Sequence, residues 1–188
     1  MPRPRSDDKR AAILDAAARV IAGQGLGAAT AAIAKEAGVS NGSLFTYFDT
    51  KADLFNQLYL ELKAEMGSAA LGGLPAGGDA RGQLLHLYSG WLRWATAYPE
   101  RRRTLAQLDV SDEITAATHA AASRAMSGVA EILERIRANG PMRDAQPTLV
   151  LALANAVAEA TIDFIIRDPD HADAHSSAGF DALWRMIA

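Results

Sequence analysis

TAAIAKEAGVSNGSLFTYFDTK, residues 30–51, reads as two short helices joined by a tight turn. Thr30 is expected to cap the first helix by accepting a hydrogen bond from an orphan backbone N–H, and Ile33, Ala34 and Ala37 recur on one of its faces. Gly38 supplies the left-handed backbone that ends a helix at little cost, and Val39 plugs the angle between the two helices. Ser40 caps a second helix beginning at Asn41. On it Leu44 and Phe48 share one face, while Asn41, Ser43, Thr46 and Tyr47 point elsewhere. The outer face is slim and polar, which suits the major groove, where Asn, Ser and Thr hydrogen-bond to base edges. A helix-turn-helix of this kind points to DNA; an ordinary helical hairpin in an all-α core is the plainer alternative.

Outward from the motif, helices are predicted almost throughout. Ser6, followed by Asp7 and Asp8, starts a first helix whose buried stripe is Ile13, Leu14, Ala17, Val20 and Ile21. Met1 to Arg5 is expected to lie outside it, with Arg3 and Arg5 as either a basic arm for the minor groove or a plain tail. Thr50 caps a fourth helix carrying Leu54, Phe55, Leu58, Leu62 and Met66. Residues 67–79, with glycines at both ends, form the main loop. Beyond it come a helix from about Ala80 with Trp91 and Trp94, a short helix opened by Pro99, and a long Ala-rich helix from Asp112 to about Ala138. Two more run from Pro147 to Arg167 and from near Ser177 to Ile187.

Composition sets bounds on chemistry. The 188 residues, 49% hydrophobic and 22% charged, can bury one substantial core or two small ones, and the absence of cysteine removes disulfides, thiol nucleophiles and thiolate metal sites. With no apolar N-terminal signal region and no uninterrupted apolar run of bilayer length, the cytoplasm is the expected location and no membrane partner is expected. The net charge is −3, yet residues 1–51 hold 7 Lys+Arg against 5 Asp+Glu while the remainder holds 12 against 17. The positive end is the motif end.

The run from Lys9 to Met66 resembles the N-terminal domain of TetR-type transcriptional regulators. The residues that carry the likeness are Gly23-Gln24-Gly25 after the first helix, Thr30 with Ile33-Ala34, Ala37-Gly38-Val39-Ser40, Gly42 and Leu44, Tyr47-Phe48, and Lys51. It covers about the first third of the chain; beyond that only length and helical character agree. The resemblance implies that Thr30, Tyr47 and Lys51 contact phosphates, while Asn41, Gly42, Ser43, Phe45 and Thr46 face the bases. One departure is Phe45, where the family commonly has Tyr, so a hydroxyl contact to phosphate is lost although the ring can still touch a thymine methyl. The implied fold is all-α: a three-helix DNA-binding domain with its connecting helix over residues 1–66, and a helical effector-binding and dimerisation domain over 67–188. The implied function is a repressor released from a palindromic double-stranded DNA operator by a small-molecule effector, with no cofactor.

The helix from Pro147 is apolar nearly all round. Leu149, Leu153, Val157 and Phe164 make one apolar line, and Ala152, Ala156 and Ala160 beside it permit close helix approach. Such a helix is either central in its own domain or buried against a second subunit; the resemblance implies a homodimer pairing through the last two helices. Trp91, His119, Met126 and Asn155 are the candidate ligand contacts, each with a duller reading as core or surface. Asn155, Glu159 and Asp163 recur every four residues as either a solvated edge or a ligand-reading stripe. Enzyme signals are thin: His86, His119, His171 and His175 show no metal-protease spacing, and no phosphate loop or nucleophile set is suggested. A helical binding protein or degenerate enzyme that no longer meets DNA is the alternative.

Overall fold

The computed structural model describes residues 4–75 and 79–188, with backbone alone for residues 4–6, and consists of α-helices and one short 3-10 turn among the described residues. In order the helices are α1 (Pro4–Gln24), α2 (Thr30–Glu36), α3 (Asn41–Leu44), α4 (Lys51–Leu71), α5 (Ala80–Ala97), α6 (Pro99–Asp109), α7 (Ala116–Ala125), α8 (Ser127–Arg137), α9 (Pro147–Arg167) and α10 (Ala172–Ile187). The 3-10 turn, Pro169–His171, precedes α10.

Several boundaries differ from those expected. The first helix starts at Pro4 rather than Ser6, because proline fits a first helical turn, where its missing N–H is not needed. Arg5 is therefore helical, and Arg3 lies outside the described residues. Helix α4 runs through Gly67 to Leu71, five residues into the predicted loop. The single long helix expected from Asp112 is two, α7 and α8, broken at Met126. The last helix begins at Ala172, not near Ser177.

The chain condenses into two compact units that are not successive stretches: one takes residues up to Ala64 together with Tyr98–Arg124, the other Glu65–Ala97 together with Ala125–Ala188. A division at residue 66 follows motif and loop, whereas compaction follows packing, and α6 packs on α1. In the first unit the α1 stripe Ile13, Leu14, Ala17 and Ile21 is buried with Ile33, Leu44, Phe48, Phe55 and Leu108. Three polar bonds fasten α6 along α1: Thr104 Oγ1 donates to the Ala18 carbonyl at 2.6 Å, Arg101 meets Asp15 at 2.5 Å, and Gln107 Nε2 donates to the Ile21 carbonyl at 3.3 Å. Tyr59 on α4 donates to Asp109 at 2.6 Å and sits 3.2 Å from His119 Nδ1, with Lys63 bridging to Asp109 at 3.0 Å. Burial and the Asp109 carboxylate hold the Tyr59 hydroxyl well above the usual phenol range. Asp109 itself, though burial opposes it, is held low by the Tyr59 bond and the Lys63 charge.

In the second unit α9 packs mainly on α10, with α5 and α8 alongside. Val150, Ala154, Ala158 and Ile162 are its inward line, spaced at the period that keeps residues on one helical face. Leu149, Leu151, Leu153, Phe164 and Ile166 are exposed. Helix α9 is long and apolar enough to cross a membrane by length and composition alone. Asn155, Glu159 and Asp163 interrupt its apolar run. The turn between α8 and α9 is closed by Arg137, whose guanidinium donates to the carbonyls of Met142, Arg143 and Ala145 and pairs with Glu134 at 2.7 Å.

Candidate nucleic-acid interface

Each short element of the motif is fixed by local bonds. Gly25, at φ 77°, ends α1, and its N–H donates to the Ile21 carbonyl at 2.8 Å. Gly38, at φ 69°, ends α2, with Val39 N–H returning to the Ala34 carbonyl at 2.9 Å. These are left-handed positions that L side chains strain to adopt. The cap of α2 is Ala29, not Thr30, and no side chain closes it; Thr30 is the first helical residue. Ser40 does cap α3, its hydroxyl accepting from Ser43 N–H at 3.0 Å. Thr50 caps α4 by accepting from Asp53 N–H at 3.0 Å, while Asp53 accepts in return from Asp49 N–H at 3.1 Å. The first bond satisfies an orphan donor of the helix start, and the second holds the residue before the cap.

Helix α3 is a single turn, and the chain continues from it through hydrogen-bonded turns to Phe48. Leu44 and Phe48 are buried, which anchors the turn and orients everything else on it. Asn41, Gly42, Phe45 and Thr46 are exposed, Ser43 and Tyr47 half-buried. Thr46 Oγ1 is committed to the Ser43 carbonyl at 2.7 Å, leaving its methyl and its acceptor lone pairs outward. Phe45, at 40% exposure, is a large apolar ring on an otherwise polar face.

Lys51, at the first turn of α4, is half-buried. Its ammonium donates to the Leu26 carbonyl at 2.7 Å and lies 5.2 Å from the Phe55 ring centroid. The amine thus ties α4 to the end of α1 across 25 residues, a role that sequence reasoning missed because nothing local signals it. A second tie missed in the same way is Arg10, which reaches from α1 to Gln57 Oε1 at 2.6 Å, with Gln57 in turn donating to Asp53. These bonds set the position of the first turn of α4 against α1.

The second unit contains a cavity of about 70 Å³ lined almost wholly by apolar atoms. Of the four candidate ligand contacts, Trp91, Met126 and Asn155 line it; His119 does not, being in the first unit against Tyr59. Sequence reasoning missed Met66, Tyr88, Leu133 and Leu183 as cavity residues. Apolar residues at helical spacing look the same whether they fill a core or face a void. Among the described residues, no group of three or more His, Asp or Glu side chains could hold a metal ion; His171 and His175 instead share the Asp168 carboxylate at 3.0 Å each. Those two bonds hold Asp168 below the usual carboxylate range.

Residues 13–58 match the pattern of bacterial regulatory proteins of the tetR family. The whole fold is similar to solved structures. A chain from Shewanella sp. PV-4, assigned to the tetR family of transcription regulators, is 27% identical over 94% of this chain and 96% of its own, with a TM-score of 0.84. A TetR family transcription regulator from Marinobacter aquaeolei VT8 is 22% identical over 97% and 96%, with a TM-score of 0.87. The transcriptional regulator FadR from Bacillus subtilis, solved with stearoyl-CoA, is 19% identical over 95% and 99%, with a TM-score of 0.71.

Proposed function

We propose that this chain, a transcriptional regulator of the TetR family, is a homodimeric repressor that grips a palindromic operator in the cytoplasm and leaves it when a small molecule enters its C-terminal domain. Residues 1–66 read the DNA and residues 67–188 pair the subunits and take the effector. One observation carries the reading: α3 presents Asn41, Gly42, Phe45 and Thr46 outward on a turn that Ser40 caps and that Leu44 and Phe48 anchor in the core. Reading bases requires polar groups held in place before contact, and this turn holds them. Pairing through α9 and α10 is supported by the exposed apolar line Leu149, Leu153 and Phe164. The cavity supports an effector, as a related regulator holds stearoyl-CoA. Operator and effector then oppose one another reciprocally, each weakening the other's binding by the same factor.

Gel shifts with the DNA upstream of the gene for this chain test the reading. Asn41→Ala and Ser43→Ala are expected to relax sequence preference at particular operator positions, by about 1–3 kcal/mol for a bidentate contact and less for a single hydroxyl. Full retention of wild-type preference by both variants would move base reading off α3.

Lys51→Ala is expected to act differently. Loss of one phosphate contact weakens binding to all sequences alike and makes the salt slope shallower by about one unit. The Leu26 carbonyl shares that amine, so the variant should also melt lower. Lower melting with an unchanged slope across several salt concentrations would leave Lys51 a purely structural tie.

A further inference from the structure

The cavity beside α5 has an unusual inventory of polar groups. Among the described residues, no Asp, Glu, Lys, Arg or His lines it. An ion entering such a place would lose its hydration with no opposite charge to replace it, which is strongly unfavourable. Among the few polar groups on its wall, the Tyr88 hydroxyl is already committed, donating to Thr161 Oγ1 at 2.8 Å. The Asn155 side chain makes no hydrogen bond among the described residues, whereas Trp91 Nε1, like Trp94 Nε1 off the wall, is buried with no surface open to a guest. The open polar group at the cavity is therefore the Asn155 amide, which offers two N–H donors and one carbonyl acceptor. The thioethers of Met66 and Met126 stand on the same wall, and polarizable sulfur packs well against the edge of an aromatic ring.

We infer that this cavity takes an uncharged, compact, ring-bearing lipophile with one hydrogen-bond acceptor such as a carbonyl oxygen, which receives an N–H of the Asn155 amide. The inference rests on the effector reading above and narrows it. Ionised guests, whether carboxylates or amines, are rejected by the same lining that welcomes the neutral ring.

Three probes of nearly one shape separate the terms: acetophenone, cumene and benzoate share a benzene ring and a three-atom branched substituent that is a ketone, a hydrocarbon or a carboxylate. Each is titrated at millimolar concentration into the nitrogen-labelled full-length protein, reading the three tryptophan indole resonances, with Trp91→Phe identifying the relevant one. Acetophenone is expected to shift the Trp91 resonance and to bind about fivefold or more tighter than cumene, the factor one modest hydrogen bond supplies. Benzoate should leave the resonance in place. Asn155→Leu, of similar shape without the amide, should bring acetophenone down to the affinity of cumene. The wild-type ranking of the three probes decides the matter even if a variant fails to fold. Benzoate binding as well as acetophenone, or acetophenone and cumene binding equally, would overturn the ligand class while leaving the cavity as a binding site. If none of the three moves the Trp91 resonance or the melting temperature, the inferred ligand class is overturned, while the effector reading, which release of operator DNA by a small molecule tests, stands apart.

Discussion

Ala156→Arg is expected to yield a folded monomer. Ala156 is exposed on α9 in the single chain, between the apolar side chains at Leu149, Leu153 and Phe164. An arginine there reaches solvent in the monomer and costs the helix little, because its helix propensity is close to that of alanine. Against a second subunit the same guanidinium would be buried unpaired, and a two-fold axis would place it twice in one interface. Burying an unpaired charge costs about 3–5 kcal/mol, so even one of the two should weaken the dimer by roughly two to four orders of magnitude. Operator binding should fall with it, since two half-sites are no longer held together. Light scattering gives the mass and circular dichroism the helix content. A dimer of wild-type mass and stability would place the subunit interface somewhere other than the α9 face that carries Ala156.

The second large effect comes from a glycine that helix propensity would have replaced. Gly90 lies in the middle of α5, where alanine is the better helix former by about 1 kcal/mol. A Cβ on Gly90, however, would stand 2.4 Å from the Ala69 carbonyl oxygen and 2.9 Å from the Ala70 Cα. Those are backbone atoms of α4 and cannot rotate aside. The helices must separate, and overpacking of this kind costs about 1–3 kcal/mol or more. Gly90→Ala is therefore expected to lose about 1–2 kcal/mol net and to melt roughly 2–8 °C lower. Gly67→Ala is the control. Its Cβ meets only the Met126 sulfur, at 2.7 Å, which is the far end of a flexible side chain. Gly67→Ala should be neutral or slightly stabilising, while pushing Met126, a cavity-wall residue, out of place. Equal melting of the two variants would show that α4 and α5 do not approach at Gly90.

What was legible in the sequence is what depends on bonds between near neighbours. Ser40 bonds to Ser43 and Thr50 to Asp53, each three residues on, and Gly38 ends α2 through its own backbone. Such features depend on residue type at fixed short spacing, so the helix-turn-helix, its exposed polar positions and the all-α class followed from the residues alone. Boundaries shifted where two neighbours compete on nearly equal terms, as when Ala29 rather than Thr30 takes the cap position. The break at Met126 had no breaker residue to announce it, and the two halves α7 and α8 belong to different compact units.

Tertiary structure decided whatever joins residues far apart in the chain. Lys51 reaches Leu26 across 25 residues, Thr104 bonds Ala18 across 86, and His119 meets Tyr59 across 60, which removes it from the cavity that the other candidates Trp91, Met126 and Asn155 line. Long-range partners are chosen by shape and burial among many chemically equivalent candidates, and burial is a property of the folded surface, not of a residue type. The sequence alone determined that this chain carries a helix-turn-helix with a polar outer face. Only packing decided that α6 belongs with α1, that Gly90 must have no side chain, and that apolar residues from α4, α5, α8, α9 and α10 enclose a space instead of filling it.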